Sequence, residues 1–159
     1  MKTMSDQLTW ETTTRTPEGT EAVAEQLGAA LKGGEVLELI SDLGGGKTTF
    51  VRGLARGAGS KDIVASPTFT ISRIYRAGQR SIRHYDFYRL SEPGLMATEL
   101  QESVGEAEDI VVIEWGDVVQ SVLPDERVQI TFELADEGRT IRFKTPKKFA
   151  YLLEAIKKL

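Results

Sequence analysis

The run Ser41-Asp42-Leu43-Gly44-Gly45-Gly46-Lys47-Thr48-Thr49 constrains this chain more than any other segment. It follows the apolar stretch Val36-Leu37-Glu38-Leu39-Ile40 and precedes Phe50, Val51, Leu54 and Ala55, which recur at helical spacing and predict a helix over 47–57. Consecutive glycines let backbone N–H groups crowd an anion with no Cβ in the way, and the Lys-Thr pair adds a cation and a hydroxyl. A strand, such a bend, and a helix whose positive dipole end faces the bend make a cradle for phosphate. The expected binding residues are Leu43, Gly44, Gly45, Gly46, Lys47, Thr48 and Thr49. Lys47 would reach the β- and γ-phosphates of ATP, and Thr48 would hold Mg²⁺. Ser41 stands where the loop consensus has its first glycine, a small residue where strand turns into loop. A glycine-rich turn with a solvated lysine is the plain alternative, but it accounts for neither the strand before the glycines nor the helix after them.

The rest of the chain limits what can surround this loop. With 159 residues, 40% of them hydrophobic, residues 1–159 are expected to form one domain with a true core. Cysteine is absent, which excludes disulfides and thiolate metal sites. The stretch from Met1 to Pro17 is polar, and no apolar run approaches the roughly 20 residues of a membrane span, so a cytoplasmic protein without membrane contact is expected. A net charge of −4 argues against a broad nucleic-acid footprint. Two basic stretches, Arg73 to Arg89 and Lys144 to Lys158, read first as solvated faces or helix-end complements and second as binding surfaces.

Along the chain, Leu8 to Thr12 alternates like an edge strand, and Thr16-Pro17 supplies an N-cap and first-turn proline for a helix reaching about Leu31. Gly57 and Gly59 are expected to stop the helix after the loop. Ile63 to Ala65 reads as a short strand before Ser66-Pro67-Thr68. Thr70 to Tyr75 and Arg80 to Phe87 form a hairpin, as do Val128 to Leu134 and Thr140 to Lys144. A helix is expected from about Glu92 or Pro93 to Val104, and Ile110 to Ile113 reads as a strand buried on both faces. Phe149, Leu152, Leu153 and Ile156 close the chain as an amphipathic helix.

A phosphate loop hydrolyses nothing alone; it needs a carboxylate for the metal, a group to place water, and charge compensation. Glu114, at the end of the apolar strand, is the candidate Mg²⁺ carboxylate, with an ordinary exposed strand-end acid as its alternative. Asp86, within His84-Tyr85-Asp86-Phe87-Tyr88-Arg89-Leu90, is a second candidate for the metal or the attacking water, with capping or pairing to an arginine as the alternative. Alternation puts it on the face of His84 and Tyr88. His84, the single histidine, is given no chemical role. Thr68 suits a switch position that senses γ-phosphate or its Mg²⁺, or a plain turn. Trp115 is either core or a stacking surface for a partner or the nucleotide base.

Read in order, Asp42 to Phe50, Ser66-Pro67-Thr68-Phe69-Thr70, His84 to Leu90, Ile113-Glu114-Trp115 and Leu123-Pro124 resemble the motifs of one family over most of the chain. That family is the bacterial tRNA threonylcarbamoyladenosine biosynthesis ATPase TsaE, formerly YjeE. Ser41 and Gly45 depart from its loop, where glycine and alanine are usual. The resemblance implies a small α/β P-loop NTPase-like domain, a mixed β-sheet flanked by helices. It also implies an ATPase, weak alone, that works in a complex with TsaD and TsaB. There, ATP hydrolysis resets the machinery that transfers a threonylcarbamoyl group to the adenosine beside the tRNA anticodon, so tRNA is met only through the complex. Carried over by position, the family's functional residues are Lys47, Thr48, Asp86, Glu114 and Trp115, with Thr68 as the switch threonine. Two other classes stay open: a small-molecule kinase, which would want an arginine-rich lid that is not visible here, and a nucleotide-sensing module that does not hydrolyse.

Overall fold

A computed structural model describes residues 7–41, 46–65, 72–88 and 94–158. Strand β1 (Gln7–Thr14) leads to α1 (Pro17–Ala30), followed by β2 (Val36–Ile40), α2 (Lys47–Gly57), β3 (Ser72–Ala77), β4 (Arg80–Asp86) and α3 (Gly94–Ser103). The second half contains β5 (Asp109–Glu114), a 3-10 segment (Gly116–Val122), β6 (Val128–Ala135), β7 (Gly138–Pro146) and α4 (Ala150–Ile156).

The strands form one mixed sheet in the order β1-β7-β6-β2-β5-β4-β3. Strands β4, β5, β2 and β6 run parallel, and antiparallel hairpins finish both sides. Alternation divides each strand between two cores. Leu37 and Leu39 of β2, Val112 of β5 and Ile82 of β4 bury against α1, α2 and α4. Val36, Val111, Ile113 and Tyr85 face the other way, toward α3 and the 3-10 segment. The expected burial of Ile110 to Ile113 on both faces is observed, and the expected edge strand is an edge strand.

Local chemistry explains the element ends. The Thr16 hydroxyl accepts the Gly19 N–H at 3.0 Å and Pro17 opens α1, which is the capping read from sequence. Two expectations are corrected. Ile63 to Ala65 is not a strand; the segment is irregular, and Ile63 is largely exposed. Gly57 does not stop α2 but lies inside it, and the stop is Gly59 at φ +99°. Gly57 instead permits close approach: a Cβ there would lie 2.0 Å from the Glu25 carbonyl oxygen, and one on Gly53 would lie 2.4 Å from that of Glu21. The glycines of α2 thus let it lie directly on α1, which sets where its N-terminus emerges above the sheet.

Candidate nucleotide site

Lys47 opens α2 directly after Gly46, whose φ of +95° is a left-handed conformation that favours glycine. The helical ladder begins with Phe50 N–H to Gly46 O at 2.9 Å, so the amides of Lys47, Thr48 and Thr49 precede it. Glycine at the N-cap brings no side chain to those amides, and the first turn carries no acid. The helix end is therefore electropositive and suited to an anion. The Lys47 side chain is buried; its ammonium donates to Ser41 O at 3.3 Å, sits 3.9 Å from Glu114 Oε1 and lies 4.4 Å from the centre of the Trp115 ring.

Two acids end adjacent parallel strands beside this lysine. The register of β4 on β5 makes Asp86 and Glu114 direct partners, and alternation turns both toward the α2 side together with His84. All three are buried, at 7%, 3% and 0% exposure respectively, so Glu114 is not the exposed strand-end acid that was its plain alternative, whereas Asp86 does accept a local backbone N–H, from Tyr88, as its capping alternative has it. Burial pushes the Asp86 carboxyl above its ordinary range. The Tyr88 N–H, 3.0 Å from Oδ1, opposes that shift, the Glu114 charge adds to it, and Lys47 opposes it.

Behind Glu114 lies a chain of polar contacts. Its Oε2 is hydrogen-bonded to His84 Nε2, His84 Nδ1 stands 3.3 Å from the Tyr75 hydroxyl, and that hydroxyl donates to Ala65 O at 2.9 Å. Trp115, at φ 57°, is the one non-glycine residue with positive φ among those described, and its ring also packs on Tyr88 at 4.9 Å. Such a backbone costs of order 1 kcal/mol or more and persists where surrounding contacts demand it.

Two cavities lie near the carboxyl ends of the parallel strands, and the first of them borders the head of α2. One, about 320 Å³, is bordered by Thr14, Arg15, Thr16, Gly46, Thr49 and Arg139. The other, about 430 Å³, lies between Ser41 and Trp115 and is bordered by Glu38, Gln120 and Gln129. Burial would raise the Glu38 carboxyl, but hydrogen bonds from Arg127, Gln129 and Gln120 outweigh it and hold the group below its usual range.

The donor set fits a phosphate-bearing ligand with Mg²⁺. Among the described residues no group of three or more His, Asp or Glu side chains is arranged to cage a metal. One or two carboxylates beside a threonine and a phosphate cradle match the way Mg²⁺ is usually held, with substrate phosphates and water completing the shell. Gly46, Lys47, Thr48, Thr49, Asp86, Glu114 and Trp115 gather at the carboxyl ends of the parallel strands or the start of α2. Leu43, Gly44, Gly45 and Thr68 lie outside the described residues. The sequence reading missed His84 and Tyr75; the available signal was that His84 alternates with Asp86 onto the same face. Of the basic stretch, Arg83 pairs with Asp109, Arg76 bonds Ser81 and Arg80 bonds the Leu31 carbonyl, so these three serve the fold.

A parallel-centred sheet flanked by helices, with a glycine-rich segment of sequence joining β2 to α2 at its carboxyl edge, defines a P-loop NTPase-like α/β protein. The family model described as "Threonylcarbamoyl adenosine biosynthesis protein TsaE" matches residues 14–141, and this chain belongs to the TsaE family. The tRNA threonylcarbamoyladenosine biosynthesis protein TsaE of Bacillus subtilis is 39% identical over 86% of this chain and 85% of its own length. That of Treponema pallidum is 40% identical over 72% and 85%. The crystal structure of Bacillus subtilis YdiB superposes with a TM-score of 0.74 at 36% identity, covering 96% of this chain and 95% of that one. No helix among the described residues is long and apolar enough to cross a membrane.

Proposed function

We propose that this chain binds ATP with Mg²⁺ and hydrolyses it as the nucleotide-driven component of a TsaD–TsaB complex, supporting threonylcarbamoyl modification of the adenosine beside the tRNA anticodon. The observation that carries the ATPase reading is the meeting of the buried Lys47 with Glu114 and Asp86 at the head of α2. The relatives' names support the link to tRNA modification. Residues 43–49 cradle the phosphates with backbone N–H groups, and Lys47 supplies the fixed cation. Thr48, with Glu114 and Asp86, holds Mg²⁺; the ion, when bound, neutralises charge on the phosphoryl oxygens. Asp86 also suits the orientation of water, since it is buried next to Glu114 at the carboxyl end of the adjacent strand. The cavity beside Arg15 and Arg139 has room for a nucleoside next to the cradle. Thr68 reports the γ-phosphate, and Trp115, stacked on the Lys47 ammonium, passes nucleotide state to the partner proteins.

The test compares ATP hydrolysis by the isolated chain with that in the presence of TsaD and TsaB. Stimulation by the partners is expected. Phosphorylation of an added metabolite would instead indicate a kinase, and ATP binding without turnover in either setting would indicate a sensing module.

A further inference from the structure

Glu114 is gripped unequally. Oε1 looks toward Lys47 at 3.9 Å, beyond hydrogen-bonding distance, whereas Oε2 is hydrogen-bonded to the fully buried His84. A carboxylate oxygen can only accept, so a hydrogen bond to it from the ring uses Nε2–H as the donor. Rotation of the histidine ring is limited in turn by Tyr75, itself 2% exposed, whose hydroxyl lies against Nδ1 and is anchored on Ala65 O. The line from the half-buried Ala65, which precedes Ser66-Pro67-Thr68, to Glu114 beside the head of α2 therefore runs through the buried side chains of Tyr75 and His84.

We propose that His84, steadied by Tyr75, is a positioning residue for Glu114: it ties down one carboxylate oxygen so that the other is presented to the head of α2. This rests on the reading of Glu114 as a metal-holding, hydrolytic acid. Partners that hold the groups ligating a metal orient them, and their loss commonly lowers metal affinity or activity by about 10–100-fold. Without His84, Glu114 keeps Lys47 as the cation on its open side and is free to turn toward it, away from the geometry the cradle needs.

The experiment measures Mn²⁺ binding to the ADP complex by electron paramagnetic resonance, alongside ATP turnover with partners present, for His84→Leu, His84→Gln, Tyr75→Phe and Glu114→Ala. His84→Leu is expected to lose about 10–100-fold in Mn²⁺ affinity and in turnover. His84→Gln, which retains an N–H donor, is expected to recover most of both. Combined with Glu114→Ala, His84→Leu is expected to add nothing further, since it acts through that acid. Wild-type Mn²⁺ affinity and turnover in His84→Leu, while Glu114→Ala loses both, overturn this inference and leave the role of Glu114 standing. A His84→Leu loss that persists in full on the Glu114→Ala background overturns it as well. Full turnover by Glu114→Ala overturns the underlying reading instead. Should His84→Leu not fold, as judged by circular dichroism, Tyr75→Phe decides: reduced Mn²⁺ affinity supports the relay, and unchanged affinity refutes it.

Discussion

Alanine at Gly57 is expected to destabilise the protein, although alanine is the better helix former. Placed there, Cβ falls 2.0 Å from the Glu25 carbonyl oxygen, 2.7 Å from its carbon and 2.9 Å from its Cα, where comfortable contact needs about 3.5 Å. The obstacle is α1 backbone, which no rotamer change can move aside, so the two helices must part by about 1 Å or tilt. Overpacking of this kind costs roughly 1–3 kcal/mol, and the propensity gain from glycine to alanine returns about 0.5–1 kcal/mol. The Arg56 pairs with Glu21 and Glu25 along the seam are solvent-exposed and too weak to alter the balance. The net expectation is a loss of about 1–2 kcal/mol. In urea, with a slope of roughly 2 kcal/mol per molar, the midpoint should fall by about 0.5–1 M at unchanged slope. Because the same seam sets the head of α2, ATP affinity should weaken too. A midpoint equal to or above wild type would refute the reasoning and return Gly57 to the helix-stop role its sequence position suggests.

Lys47→Ala should abolish useful ATP–Mg²⁺ binding in titration calorimetry, and an unchanged affinity would remove the loop assignment. Asp86→Ala and Glu114→Ala, assayed with partners, should each slow hydrolysis by about 10²–10³, or roughly 3–4 kcal/mol, while weakening nucleotide binding much less; a variant with full turnover is not catalytic. Asp86→Asn should be more stable than wild type at pH 7, since burial raises the folded-state carboxyl above its unfolded value of 3.8. Stability linked to that group is complete below the unfolded value and lost as pH rises through the folded one, so the advantage should vanish toward pH 3; chemical denaturation across pH checks it. Trp115→Ala should weaken capture of TsaD–TsaB or erase its dependence on ATP versus ADP in a pull-down, and binding indifferent to both would leave Trp115 a packing residue.

What could be read from the chain alone was whatever a few neighbouring residues decide. The strand before the glycines and the helix after them were legible because strand, glycines, lysine and helix are contiguous, and the start of α1 because Thr16 and Pro17 are adjacent. Both hairpins followed from alternation and short turns, and β5 from an unbroken branched run. Asp86 and Glu114 were nominated separately, as strand-end acids and by family resemblance. Their placement side by side came from the parallel register of β4 on β5, which depends on which apolar faces are buried together. Tertiary structure alone joined His84 to Glu114, turned Gly57 from a stop into a contact, and gave Trp115 its left-handed backbone over the lysine. It also left Ile63 outside any strand, despite its β propensity. Periodicity and turn chemistry act over a turn or two of chain, whereas these features are set by packing between segments tens of residues apart, whose pairing no local pattern encodes.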